Sequence, residues 1–167
     1  MRLKPVTDWS VYILLRVLIC VIQTLPIELC HTLSKVMAVV AADITKLRHR
    51  VMEENLRHVF PHWTPTYRRR FIRRMWEHLF LMVTEVAQAR RKIHLMSFDR
   101  YVTFTDKPLL VKYLLDPRPT VVVTGHYGNF ELGGYVLGMF GFPSFTIARA
   151  LDNPYLDRFL NRFRGST

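Results

Sequence analysis

Thr120-Val121-Val122-Val123-Thr124-Gly125-His126-Tyr127-Gly128-Asn129-Phe130-Glu131 is the stretch on which the fold turns. Its first five residues are β-branched and uncharged, with Pro119 before them and Gly125 after. A short apolar run between breakers fits a strand covered on both faces, as in a parallel sheet. Gly125 and Gly128 permit backbone angles that other residues resist. Asn129 suits the N-cap of a helix over 130–140. This order predicts an α/β domain with His126 in the loop at a strand's carboxyl end, where open α/β sheets place their ligands. Glu131 falls in the first helical turn, where its charge complements the helix dipole.

His126 and Glu131 have two readings. A histidine titrates near neutrality, and a carboxylate on one ring nitrogen fixes its tautomer and stabilises the imidazolium. Such a pair can draw a proton from a hydroxyl as the hydroxyl attacks a carbonyl. Alternatively, His126 is an ordinary loop histidine and Glu131 only complements a helix end. The chain has no His-Glu-x-x-His or Cys-x-x-Cys pattern, and no third ligand lies near His126, so a metal centre is the poorer reading.

Outward from this block, 98–106 alternates like a strand and 107–115 reads as a helix ending before Asp116-Pro117-Arg118-Pro119. Gly133, Gly134 and Gly138 weaken a helix over 130–140, and close packing on a sheet is the expected compensation. Residues 144–148 read as the next parallel strand, reached by a right-handed crossover. The loop 149–153 then falls on the same edge as His126. Asn153-Pro154 opens a helix over 155–163. Arg149 on that edge can hold a phosphate bidentately or stabilise charge on a thioester oxygen, or it can simply pair with Asp152 or Asp157.

Upstream, 9–25 is apolar, interrupted by Arg16 and Gln23, and Pro26 breaks it before a second apolar segment, 27–42. A membrane span needs about 20 apolar residues. Seventeen with one arginine is borderline. Arg2 and Lys4 precede the run, so a signal peptide must be weighed, but no small-x-small cleavage site follows. An uncleaved anchor or half-inserted hairpin with a cytoplasmic basic flank is preferred over the core helix of a soluble protein.

Between these parts, Thr64 can N-cap and Pro65 can start a long helix. Its apolar stripe runs through Phe71, Ile72, Met75, Trp76, Leu79, Phe80, Val83, Val86 and Ala87. Arg68, Arg69, Arg70, Arg73 and Arg74 fall opposite. Glu85 lies close to the stripe, as its edge or as half of a buried ion pair. With Lys46, Arg48, His49, Arg50 and Arg57, the arginines form a basic surface, and the whole chain carries a net charge of +11. That charge points to anionic lipid headgroups, a phosphorylated glycolipid or an acidic carrier protein. No nucleic-acid-binding motif is present. Cys20 and Cys30, the only two cysteines, lie in apolar sequence and form neither a metal spacing nor a disulfide framework.

The motif 124–131, Thr-Gly-His-Tyr-Gly-Asn-Phe-Glu, resembles the His-x4-Asp/Glu signature of the bacterial lipid A biosynthesis acyltransferases, the lauroyl/myristoyl type. Arg50-Val-Met-Glu-Glu-Asn-Leu-Arg-His-Val-Phe-Pro61 and Ala148-Arg-Ala-Leu-Asp-Asn-Pro154 resemble two further segments of that family, in the family's order. Ala150 stands where many members have proline. The resemblance runs over essentially the whole chain. It implies three parts: a membrane-associated helical segment (1–42), a basic amphipathic segment (43–97), and the first part of a glycerophospholipid-acyltransferase-like α/β catalytic domain (98–167).

Members of that family are longer, so the resemblance implies a C-terminally truncated chain whose activity is in doubt. It also implies transfer of a fatty acyl chain from an acyl carrier protein thioester to a hydroxyl of an anionic glycolipid, a lipid A precursor. Among inner-membrane lipids, on the cytoplasmic face, His126 and Glu131 would be catalytic and Arg149, Asn153, Gly128 and Asn129 substrate-binding. No cofactor is needed, because a thioester is already activated. The alternatives are another glycolipid or phospholipid acceptor, or a non-catalytic basic membrane-surface protein.

Overall fold

A computed structural model describes residues 3–125 and 127–165. Among the described residues the regular structure is helical and no strand occurs. The α-helices are α1 (Leu3–Thr24), α2 (Ile27–Val39), α3 (His49–Val59), α4 (Pro65–Lys92), α5 (Lys107–Leu114), α6 (Phe130–Met139) and α7 (Pro154–Arg164). The chain divides into two compact units, one of residues 21–87 and one of residues 1–20 with 88–167.

The α/β expectation is therefore overturned. Residues 120–124 and 144–148 adopt no regular structure, and neither has a ladder partner among the described residues. Val121 and Val123 are 83% and 86% exposed, and Phe145 and Ile147 are fully exposed. β-Branched composition measures fit to a pleated, half-buried surface rather than an intrinsic backbone preference, so without a neighbouring strand it fixes nothing. The expected strand 98–106 also fails, for a different reason. Residues Phe98–Arg100 form a 3₁₀ turn. Phe98 and Phe104 pack on Phe140, with ring centroids 4.9 and 6.2 Å away. Aromatic packing on α6 decides this segment. Gly133 and Gly134 have open space where a Cβ would stand, so the expected close packing is absent at both.

The helix boundaries follow local chemistry. Pro26 separates α1 from α2. The Thr64 hydroxyl accepts from Tyr67 N–H at 3.2 Å and starts α4. Asp106 caps α5 by accepting from Leu109 N–H at 3.1 Å. Asn153 caps α7, accepting from the amides of Tyr155 and Leu156. Helix α6 ends in a Schellman turn: Gly141 takes φ +82°, its N–H donates to Gly138 C=O, and Phe142 N–H donates to Leu137 C=O.

In the 21–87 unit, Ala42, Leu56 and Ile72 form the core, with Met52, Trp63 and Trp76 packed against it. Trp63 stacks on Phe60 at 4.1 Å and meets Tyr67 and Phe71 edge-on or tilted. Helix α2 runs into a π-helical turn, Val40–Ile44. Lys46 and Arg48 follow with φ of 50° and 52°. A left-handed backbone costs a non-glycine residue about 1–2 kcal/mol.

Arg68, expected on the solvated basic face of α4, is instead 5% exposed. Its Nε donates to Glu53 Oε1 at 2.7 Å and its Nη1 to the Trp63 carbonyl. Arg57 donates to the same carboxylate at 3.1 Å. Burial pushes the Glu53 carboxyl up, but the bonds from Arg68 and Arg57 outweigh it and hold the group below its ordinary range. Glu53, on α3, thus holds the buried arginine of α4.

In the other unit, α6 and α7 meet through stacked rings. Tyr135 and Phe163 lie 5.5 Å apart and nearly parallel, and both are buried. The Tyr135 hydroxyl donates to Ile93 C=O at 3.1 Å. Burial raises the Tyr135 pKa, with Arg90 opposing. The first part of α1 also meets α7. Tyr12 contacts Tyr155 and Phe159, and the Arg16 guanidinium lies 5.1 Å over the Phe159 ring. The arginine that interrupts the apolar N-terminal run thus has a cation–π seat.

Candidate active site

Glu131 stands in the first turn of α6, as its position after Asn129 predicts. Gly128, two residues before the helix, takes φ +68°, a backbone open to glycine at little cost. Asn129 occupies the N-cap with no side-chain capping bond, and its carbonyl accepts from Leu132 N–H at 3.2 Å. His126 lies outside the described residues.

The Glu131 carboxylate is bound by Arg164, the last residue of α7. Arg164 Nε donates to Oε2 at 3.0 Å, and Nη2 donates to Oε1. Both side chains are largely covered, at 17% and 30% exposure. The bidentate geometry fixes the plane of the carboxylate as a neutral pair of hydrogen bonds could not. The bond to Glu131 pushes the Arg164 pKa above its already high range, against desolvation and with help from the charges of Glu131 and Asp157. An ionised carboxylate offers about four lone-pair sites, so two bonds from Arg164 leave acceptor capacity on Glu131.

Sequence reasoning missed Arg164 because it ended the helix at Phe163. The partners are 33 positions apart, and no local spacing connects them. The available signal is the phase of α7: with Asn153 as cap, Phe163 and Arg164 share its last turn.

Asn153 and Arg149 are placed differently. Asn153 caps α7, which carries Arg164 at its far end, and Asn153 Nδ2 donates to Asp8 C=O at 2.9 Å. Arg149 stands 3.8 Å from Asp152, with both side chains about nine-tenths exposed. Its ion pair is thus the local one weighed from sequence. Among the described residues, then, Gly128, Asn129 and Glu131 gather at the start of α6, Asn153 reaches that point only through α7 and Arg164, and Arg149 stays apart.

One helix among the described residues, Lys4–Thr24, is long and apolar enough to cross a membrane. Its most apolar 18-residue stretch has a mean hydropathy of 1.7, and its 21 residues rise about 30 Å, the thickness of a hydrocarbon core. Val11, Leu14, Val17 and Leu18 on this helix are exposed.

No curated protein and no solved structure matches the chain. The family model of the bacterial lipid A biosynthesis acyltransferase matches residues 2–167. That match spans α1 to α7, and it brings an acyl donor, a lipid acceptor and, with the apolar α1, association with a membrane. The chain belongs to the bacterial lipid A biosynthesis acyltransferases.

Proposed function

We propose that this protein moves a fatty acyl chain from an acyl carrier protein thioester to a hydroxyl on an anionic glycolipid, a lipid A precursor. His126 is the general base and Glu131 the group that orients it. The supporting observation is the Glu131 carboxylate, held in one plane by Arg164 five positions after His126 and inside the family match. A carboxylate fixed in this way can accept from one imidazole nitrogen and leave the other free to take a proton.

The acceptor hydroxyl attacks the thioester carbonyl while His126 removes its proton. The new C–O bond forms, the C–S bond breaks, and the imidazolium returns the proton to the departing thiolate. Gly128 and Asn129 shape the turn that brings the acyl group to His126. Arg149 and Asn153 contact the substrate, Arg149 through a phosphate or the thioester oxygen. Helix α1 anchors the enzyme in the bacterial inner membrane, with the catalytic residues on the cytoplasmic face. The strong positive charge suits both an acidic carrier protein and a phosphorylated acceptor.

The test is acyl transfer in membranes expressing the gene product beside its His126→Ala variant, with a panel of acyl carrier protein thioesters and a lipid A precursor. Loss of roughly a hundred- to ten-thousandfold in rate is expected. Normal transfer by a pure His126→Ala protein would falsify the mechanism. Transfer to lysophosphatidate or a mannoside but not to the lipid A precursor would move the acceptor and leave the chemistry standing.

A further inference from the structure

Within the 21–87 unit a small pocket of about 190 Å³ is lined by Ala42, Asp43, Lys46, His49 and Arg69. Its position coincides with the least regular backbone of that unit. The π-helical turn Val40–Ile44 supplies Ala42 and Asp43, and the left-handed residue Lys46 and the helix start at His49 supply the next two walls. Strained backbone and π-turns recur at functional sites, but the polar groups carry the argument.

Asp43 is the organiser. Arg69 Nε donates to Oδ1 at 2.8 Å, and Arg73 Nε donates to Oδ2 at 2.8 Å. The contact with Arg69 runs through Nε, which leaves both terminal amino groups of that guanidinium to a ligand. Lys46 has no carboxylate partner among the described residues. His49 Nδ1 is buried without a hydrogen-bond partner. His49 also lines the pocket and brings an imidazole to it. The pocket thus combines an ammonium, a guanidinium with free donors and an imidazole. Its only acid, Asp43, is already held by two arginines.

We propose that this pocket binds a terminal phosphate group, one with at most a single ester bond, presented either as a lipid headgroup or as free phosphate. Several donors of different shape suit an anion with three or more oxygens better than a planar carboxylate, whose geometry Asp43 already satisfies here. The volume lies well below the ~300–1,000 Å³ of pockets that enclose drug-sized ligands, so the site takes a charged headgroup and not a whole glycolipid. The assignment rests on these residues and is independent of the acyl-transfer reading.

The experiment follows the His49 ring resonances of the full chain by NMR. The protein is titrated with inorganic phosphate in detergent, and separately placed in phosphatidylcholine nanodiscs containing phosphatidic acid or phosphatidylglycerol. A saturable His49 shift is expected. Lys46→Gly should weaken it about fivefold, the worth of one near-surface cation. The same change should leave the fold intact or firmer, because glycine relieves the positive φ. Arg69→Gln should weaken binding similarly. Arg74→Gln, which removes an equal charge from the same helix outside the pocket, should not.

A stronger response to phosphatidic acid than to free phosphate identifies the headgroup as the source, and the reverse identifies the free anion; either supports the site. A shift that never saturates overturns it. So does equal weakening by Arg74→Gln, or a response to phosphatidylglycerol that matches phosphatidic acid.

Discussion

Ile72 and Ile147 are the same side chain in opposite circumstances. Ile72, on α4, is fully buried beside Ala42 and Leu56, and Ile147, in the segment before α7, is fully exposed. Around Ile72 the chain closes its own accounts of charge and apolar surface. Trp63 and Trp76 cover the core, Glu53 meets Arg68, and Asp43 meets Arg69 and Arg73. Around Ile147 it does neither, for Phe145 is bare and Arg149 finds only the exposed Asp152. Hydropathy alone does not distinguish the two isoleucines; a helical partner at the right phase does.

The sharpest way to break this contrast is to remove the buried arginine. Arg68→Ala strands the Glu53 carboxylate with Arg57 alone and should cost roughly 3–5 kcal/mol in chemical denaturation. A loss below about 1 kcal/mol, the range of surface pairs, would show that Arg68 is solvated after all. Ile72→Ala should cost about 2–5 kcal/mol, because a filled core site becomes a cavity.

Arg164→Gln should lower kcat by roughly ten- to a hundredfold with little change in KM or circular dichroism, through a loosened Glu131. Unchanged kcat would make the pair purely structural.

Acid should act on the 21–87 unit in a definite direction. Asp43 is held low chiefly by the bond from Arg69, and Glu53 by its two arginines against burial. A carboxylate with a depressed folded pKa contributes stability that is present above its unfolded value. That contribution is lost as pH falls through the folded one. Melting temperature should therefore hold through neutral pH and fall below about pH 4, where the unfolded carboxylates take up protons. Glu53→Gln should flatten part of that fall. The smallest effect belongs to Ile147→Ala, expected within about 0.5 kcal/mol of the parent. A loss comparable to that of Ile72→Ala would mean that residues 144–148 are covered after all.

These contrasts mark where sequence was sufficient. Caps and breakers are local chemistry, so Pro26, Thr64-Pro65, Asn129 and Asn153-Pro154 locate their helix boundaries closely. The α4 stripe correctly includes Ile72, the most buried of its residues. Strands are not local: a ladder needs a second segment, and the Val121–Val123 composition carries no information about one. Ion pairs across helices are equally remote. Nothing near Arg68 names Glu53, and nothing near Glu131 names Arg164. The proposed catalytic motif was legible through Gly128, Asn129 and Glu131, while the guanidinium that sets the Glu131 carboxylate's plane came from another helix.

The bond between Asn153 and the Asp8 carbonyl spans 145 positions of sequence. At roughly 5–20 residues per second, α7 leaves the ribosome on the order of ten seconds after the start of α1. For that interval Tyr12 and Arg16 lack the rings of Tyr155 and Phe159 that later receive them. The later part of α1 can meet α4 earlier, since Gln23 donates to Ala87 C=O at 2.9 Å. Docking of α7 on the first turns of α1 is therefore the late event in the assembly of this unit.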